Sequence, residues 1–235
     1  MCALLVGRGG KVRICVVVKA FSGAIGREYD VRRTEEEEMG GRKPAITRDA
    51  VATAALDLID RDGMAGFSLE RTASALGVRA PSLYNHFADK TEILGEVARV
   101  VVLETPRVPD PAPGQWRSWL IAECLEFRNT LMRHPNAVPV VVTWFPEPLL
   151  HKLYAQYSTL LGDHGVPASD HLFLLEATHR MTIGSAMCAA TGRPALVELP
   201  SGNPTERVAT APPDADSALF ERMLVTFLAG FDEHP

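Results

Sequence analysis

The chain has 235 residues, of which 46% are hydrophobic and 23% charged. Those are the proportions of an ordinary globular protein and exclude a disordered, collagen-like or disulfide-built chain. The length leaves room for one large domain or two smaller ones sharing a face. A net charge of −5 offers nucleic acid no overall attraction, so any such role must rest on local placement of charge.

The longest apolar runs, such as VVVTWF at 140–145, fall far short of the ~20 residues that a membrane helix needs. Cys2, Cys15, Cys124 and Cys188 stand far apart with no CxxC pair. That spacing argues against a zinc knuckle, a thioredoxin-type site or a secreted disulfide framework, and suits a reducing cytoplasm. The first 38 residues lack helical periodicity. The apolar run that follows their basic residues, 14–18, is shorter than a signal sequence requires and is stopped by Lys19. Four glutamates, Glu35 to Glu38, precede Met39, and their codons form a purine tract like a ribosome-binding site. Met39 rather than Met1 is therefore the expected native start, with 1–38 a non-native upstream extension or a disordered tail.

From Ile46 the pattern becomes helical. Val51, Ala54, Ala55, Leu58 and Ile59 fall on one face and Asp49, Asp57, Asp60 and Arg61 on the other. Thr47 is the expected cap and Gly63 the expected stop. A second short helix follows Ser68 and ends at Gly77, and a third starts with Pro81 and runs through SLYNHF. A fourth begins at Asp89 with Glu92 three residues on, a reciprocal capping pair, and turns Ile93, Leu94, Val97, Ala98 and Val101 inward.

Pro106, Pro109, Pro111 and Pro113 then mark a link between two parts. Beyond it come two apolar stripes of helical spacing, Trp116, Leu120, Cys124, Phe127, Leu131 and then Leu149, Leu150, Leu153, Tyr154, Tyr157, Leu160, Leu161. Ser169 opens a helix running to about Thr191. The proline- and glycine-rich stretch 192–213 reads as a mobile loop. The last helix, from about Asp216, repeats Leu219, Phe220, Met223, Leu224, Phe227, Leu228 and Phe231. The fold class is thus all-α: a head at 46–104 and a second helical domain at 114–235.

Ser68 to Leu94 is the most informative segment. Helix, glycine-bearing turn and second short helix form a helix-turn-helix, which sets the N-terminal side chains of the second helix into a major groove. Ala73, Leu76, Val78 and Leu83 have the spacing of the internal packing, leaving Arg79, Ser82, Tyr84, Asn85, His86 and Lys90 outward. Arg79, Ser82 and Asn85 suit base edges; Tyr84, His86 and Lys90 suit phosphates. Residues 39–104 hold eight basic against nine acidic residues, and 105–235 nine against fourteen. The acidic surplus therefore lies mostly in the second part, and Arg42, Lys43, Arg48, Arg71, Arg79 and Lys90 can converge on one side of the first.

In the words ALDLIDRDG, FSLERTASALGV and PSLYNHFADKTEIL, residues 46–104 resemble the DNA-binding domain of the tetracycline-repressor (TetR) family of bacterial transcription regulators. The second part resembles the same family more diffusely, in LMRHPNAV and FERMLVTFLAGF. The resemblance implies a homodimer whose paired recognition helices read a palindromic operator and are released when a small molecule binds the C-terminal domain. It implies DNA contacts for Ser68, Arg71, Pro81, Ser82, Tyr84, His86 and Lys90, with operator choice at Arg79, Ala80 and Asn85. Thr47 completes the candidate DNA-binding set. Thr72 departs from the pattern, where an aliphatic residue is usual.

In the second domain, Ala177, Gly184, Ser185, Ala186 and Ala189 allow close helix approach, and the last helix has an apolar face wide enough for a dimeric four-helix bundle. A ligand cavity needs apolar walls and a few polar groups. Trp116, Trp119, Phe127, Trp144, Phe145, His151, Tyr154, Tyr157, His179, Met181 and Met187 supply both. A di-iron bundle would need two Glu-x-x-His steps, and only Glu176–His179 exists beside the Glu123/Glu126 pair. His171 and His179 lie two turns apart. His134, before Pro135, suits a helix end. No HExxH, phosphate-binding loop or serine elbow occurs. The expectation is a cytoplasmic, ligand-responsive DNA-binding regulator, a repressor and not an enzyme, with no metal or cofactor. The alternatives are a small-molecule-binding protein with a vestigial head and, third, a metal-dependent helical-bundle oxidase.

Overall fold

Three helix starts in the N-terminal part use the side chains that their position demands. The computed structural model describes residues 46–193 and 213–232, so the expectations for 1–38 and for most of the loop 192–213 lie outside the described residues. Helix α1 (Arg48–Asp62) is capped by Thr47, whose hydroxyl accepts from the Ala50 amide at 3.1 Å. Helix α2 (Leu69–Ala75) is capped by Ser68, accepting from Arg71 N at 3.2 Å. Helix α3 (Lys90–Leu103) is capped by Asp89, accepting from Glu92 N at 2.9 Å. Each cap stabilises its helix by about 1 kcal/mol. Glu92 reaches back as expected, but to the Ala88 amide at 2.6 Å, one residue beyond the cap.

The turn after α2 is a Schellman motif. The Val78 amide bonds Ala73 O at 2.9 Å and the Gly77 amide bonds Ser74 O at 3.0 Å. This places Gly77 at φ +66°, a conformation that costs other residues ~1 kcal/mol or more. Thr72, unusual in its position, is fully buried and donates its hydroxyl to Ser68 O at 2.9 Å. Its polar group is thus satisfied within its own helix, and α2 packs without an orphan. The segment Ala80–Asn85 is a 3-10 helix rather than an α-helical stretch through Phe87. Six residues starting with proline have little helical stability of their own. Leu83 at 1% exposure and Phe87 at 3% pin it down, each burial worth roughly 1.5–3 kcal/mol.

Beyond the proline link, α4 (Trp116–Arg133), α5 (Val138–Thr143), α6 (Glu147–Asp163), α7 (Ala168–Ala190) and α8 (Pro213–Ala229) complete the all-helical chain, with no strand among the described residues. Helix α7 begins a residue before the expected Ser169, after Pro167. Helix α8 begins earlier than Asp216, and its first turn carries Asp214 and Asp216, favourable at a helix N-terminus. Periodicity does not predict α5, because six residues, five of them β-branched, hold too little helical pattern.

The described residues bury two apolar clusters. One, in the second part, gathers Trp116, Trp119, Leu120, Leu161, Leu174, Phe220 and Leu224 from α4, α6, α7 and α8. The other runs through the head, with Val51, Ile59, Leu83, Val97 and Val101, and continues into Leu131, Val138, Val140, Val141 and Ala186. Helices α1 and α3 therefore share a core with α5 and the ends of α4 and α7.

Polar bonds cross the same junction. His134, at the C-terminus of α4, places Nδ1 2.6 Å from Asp60 of α1 and Nε2 2.9 Å from Glu104 at the end of α3, while Asn136 donates to Asp60 O at 2.9 Å. His134 thus does more than end a helix. Burial alone would lower its pKa, but the two carboxylates outweigh burial and hold it above the ordinary value. A raised folded-state pKa means that stabilisation is complete below the unfolded value, near 6.5, and fades as pH rises through the folded one. Thermal melts of wild type and His134→Gln should differ most at about pH 5.5–6 and converge as pH rises toward ~9.

Candidate DNA-binding head and effector cavity

The two ends of the reading segment are fastened differently. At its start, the Gly77 turn sets Arg79 and Pro81 outward. At its end, the Arg48 guanidinium bonds the His86 carbonyl and sits 4.3 Å above the Phe87 ring. Arg48 in turn is held by Glu92 at 2.7 Å and Glu96 at 3.0 Å, and Arg99 extends the network from Glu96 to Asp49. Helix α1, helix α3 and the reading segment are thus locked by one chain of charges. The Arg48 hydrogen bond and the Ala88 amide together keep the Glu92 carboxyl below its usual pKa, the amide being the larger cause.

Most of the side chains expected to face DNA reach solvent. Tyr84 is 57% exposed, and Arg79, Pro81, Asn85 and Lys90 are exposed, while Ala80, Ser82 and His86 are half-buried. Lys90 Nζ lies 4.8 Å over the Phe67 ring. Thr47 and Ser68 serve as caps at helix N-termini, where amides point outward. Arg71 is engaged, since it forms an ion pair with Asp62. Of the six basic residues expected to converge, Arg48 and Arg71 are committed to carboxylates, and Arg42 and Lys43 lie outside the described residues. Arg79 and Lys90 have no carboxylate partner within ion-pair distance among the described residues.

The second part encloses a cavity of about 300 Å³. Its wall takes Val102 and Leu103 from α3, Arg107 from the link, Glu123, Cys124 and Phe127 from α4, Phe145, then Tyr154 and Tyr157 from α6 and His179 from α7. His179 sits among three rings: Phe127 stacked at 5.9 Å, Phe145 edge-on at 5.0 Å and Tyr154 at 6.2 Å. Burial lowers its pKa, so it stays neutral near pH 7. Burial likewise pushes the Cys124 thiol up to about 11, and it is no nucleophile at neutral pH.

Of the candidate cavity residues, Phe127, Phe145, Tyr154, Tyr157 and His179 line this cavity. Trp116, Trp119, Trp144, His151 and Met187 do not. Trp116 and Trp119 turn into the second apolar cluster, where Trp119 packs edge-on at 5.0 Å against Tyr157, one layer behind the wall. Trp144 lies with Phe145 and Leu149 on a wider, more open groove that meets Glu92 and Glu96 of α3. Met187 packs on the shared core, and His151 is exposed. The spacing of apolar residues marks burial but does not say which neighbour lies opposite, so a cavity wall and a filled core read alike.

Glu123 is the residue that the expected ligand set omits. It is 8% exposed, accepts from Tyr157 Oη at 2.7 Å and from Val108 N at 3.1 Å, and lines the cavity. Burial raises its pKa against both hydrogen bonds. Its signal was a carboxyl set between Leu120 and Phe127 of the apolar stripe, three residues after the one and four before the other. The other metal-type residues are held apart: Glu176 pairs with Arg180 at 2.8 Å, and His171 bonds Ser158 and Val166 O. Among the described residues no three His, Cys, Asp or Glu side chains group as a metal site.

Residues 52–97, the head just described, match the model for bacterial regulatory proteins of the tetR family. The head of the chain is thus similar to the DNA-binding domain of that family. The tetracycline repressor protein class C of Escherichia coli is 28% identical over 205 residues, which cover 80% of this chain and 91% of that one. Streptomyces coelicolor ActR in complex with actinorhodin superposes with a TM-score of 0.65 at 20% identity, over 80% of this chain and 99% of that one. BioQ with its double-stranded DNA operator superposes at 0.60 and 22% identity, over 79% and 99%. The chain is a helix-turn-helix transcriptional regulator. No helix among the described residues is long and apolar enough to cross a membrane.

Two substitutions separate contact from positioning. Replacing Lys90 by Ala should weaken DNA binding and lower the slope of log affinity against log salt by about 1, the signature of one lost phosphate contact. Replacing Arg48 by Ala should lower affinity with a smaller change in that slope, because Arg48 acts by holding the reading segment. Fluorescence anisotropy across a salt series checks both.

Proposed function

We propose that this tetR-family protein is a homodimeric repressor that binds a palindromic operator and leaves it when a small molecule fills the cavity. The observation that carries the reading is the position of α3. Its N-terminal end carries Glu92, the partner of Arg48 behind the reading segment, and its C-terminal end supplies Val102 and Leu103 to the cavity wall. One helix therefore touches both sites. A ligand that favours a shifted α3 lowers operator affinity by its differential affinity for the two states, and DNA lowers ligand affinity by the same factor.

The head supplies Thr47, Ser68, Arg71, Pro81, Ser82, Tyr84, His86 and Lys90 for positioning on DNA, and Arg79, Ala80 and Asn85 for choice of sequence. Arg71 is available once a phosphate displaces Asp62. The dimer forms through α7 and α8. Leu172 and Phe173 on α7 are 64% and 58% exposed, and Leu219, Met223 and Val225 on α8 are 40%, 47% and 49% exposed. Phe173 meets Phe227 at 6.0 Å and Phe231 at 5.9 Å across the two helices. Such an apolar face is costly to leave in water and matches a twofold four-helix contact. The protein works in the cytoplasm, where its DNA is, and the reading gives no side chain a catalytic role.

Binding to DNA from upstream of its own gene decides the matter. A sequence-specific gel shift, abolished in the Tyr84→Ala/Lys90→Ala double variant that still folds by circular dichroism, is expected. Tight binding by that variant overturns the assigned roles, and no shift at all favours a ligand-binding protein with a vestigial head. Light scattering at micromolar concentration should give a dimer mass; a monomer removes the α7–α8 interface.

A further inference from the structure

We propose that Glu123 is the anchor for a cationic group, so that the cavity selects compact aromatic molecules bearing a protonated amine. The inference rests on the cavity being the effector site of the regulator described above.

Glu123 is the one carboxyl on the cavity wall among the described residues. Each of its oxygens already accepts one hydrogen bond, from Val108 N and from Tyr157 Oη, and each keeps acceptor capacity. No guanidinium or ammonium lies within ion-pair distance of it among the described residues. Arg107 attracts it from farther off and is exposed, as is Lys152, the other basic residue on the wall. An ionised carboxyl in such a place has no directly paired counter-ion, and a bound cation supplies one.

The rest of the wall points the same way. His179 and Cys124 are uncharged at neutral pH and compete for no carboxylate. Tyr157 donates to Glu123, while Phe127, Phe145 and Tyr154 line the same cavity. Ring faces attract a desolvated cation. An anionic ligand would meet Glu123 as a like charge, and a neutral one would leave it uncompensated. A volume of about 300 Å³ is at the small end of ligand cavities and admits one or two fused rings with a short amine arm.

The opposing account gives Glu123 a structural task only, tying the link at Val108 to Tyr157 of α6. The conservative variant Glu123→Gln separates the two, since it keeps the size and an acceptor oxygen but not the charge. Calorimetry on the full chain at pH 7.5 would compare 1-naphthylmethylamine, protonated at that pH, with 1-naphthalenemethanol and 1-naphthoic acid. The amine should bind at least about tenfold more tightly than either, the worth of one charge-assisted contact, and Glu123→Gln should erase that preference. Equal loss for all three probes in Glu123→Gln, an unchanged amine preference in that variant, an alcohol or acid that matches the amine, or no saturable amine binding up to millimolar concentration each overturns the proposal. The operator shift of the same preparation is read alongside. A specific shift without amine preference defeats the cation anchor alone, whereas absence of any shift defeats the regulator reading.

Discussion

The core that α3 shares with α1 on one side and α5 on the other is the constraint from which the rest follows. A head of about sixty residues built from two helices of about four turns and two much shorter ones buries too little apolar surface to be rigid on its own account. Continuing that core into Leu131, Val138, Val140 and Val141 gives the head its stiffness. It also denies α3 any movement independent of the second part. Packed interiors do not deform smoothly, so a change in the cavity wall at Val102 and Leu103 must be passed on or resisted, not absorbed.

Charge is used in this molecule in two ways that net totals conceal. Arg48 and Arg99 are internal fasteners, paired with Glu92, Glu96 and Asp49 across α1 and α3. Lys90 and Arg79 remain for an outside partner. Arg71 stands between the groups, since its partner Asp62 is itself accessible. Deeper in the second part, the ion pair of Arg128 with Asp216 is largely buried and is joined by a 2.8 Å hydrogen bond to Ser185, which secures α4 to both α7 and α8. A buried pair of this kind is costly to break on one side only.

The parts of this architecture that are written locally could be read in advance. Thr47, Ser68, Asp89 and Gly77 act within a few residues of themselves, and the helices that they bound are where the sequence puts them. Inward faces of α1, α3 and α4 follow from spacing alone. What depends on distant partners could not be read. Nothing near Arg48 announces that its guanidinium will meet a carbonyl at His86, and nothing near His134 announces Asp60 and Glu104. The 3-10 form of Ala80–Asn85 and the brief α5 have too few residues for a period to show. The tryptophans mislead for a different reason: a large ring is drawn to any apolar neighbourhood, and Trp116 and Trp119 found a filled one. Glu123 is the reverse case, a polar residue on an apolar stripe that earns notice only when its surroundings are known to be hollow.

Arg79 and Asn85 contribute nothing to the buried scaffold beneath them, which Leu83 and Phe87 supply. Exchanges at exposed positions of this sort usually alter stability by less than about 0.5 kcal/mol. With these two residues choosing the sequence, as proposed above, the address can drift over generations without endangering the fold. A duplicated copy of the gene could acquire a new target by a handful of changes while keeping its sensor, its pairing surface and its stiffness intact.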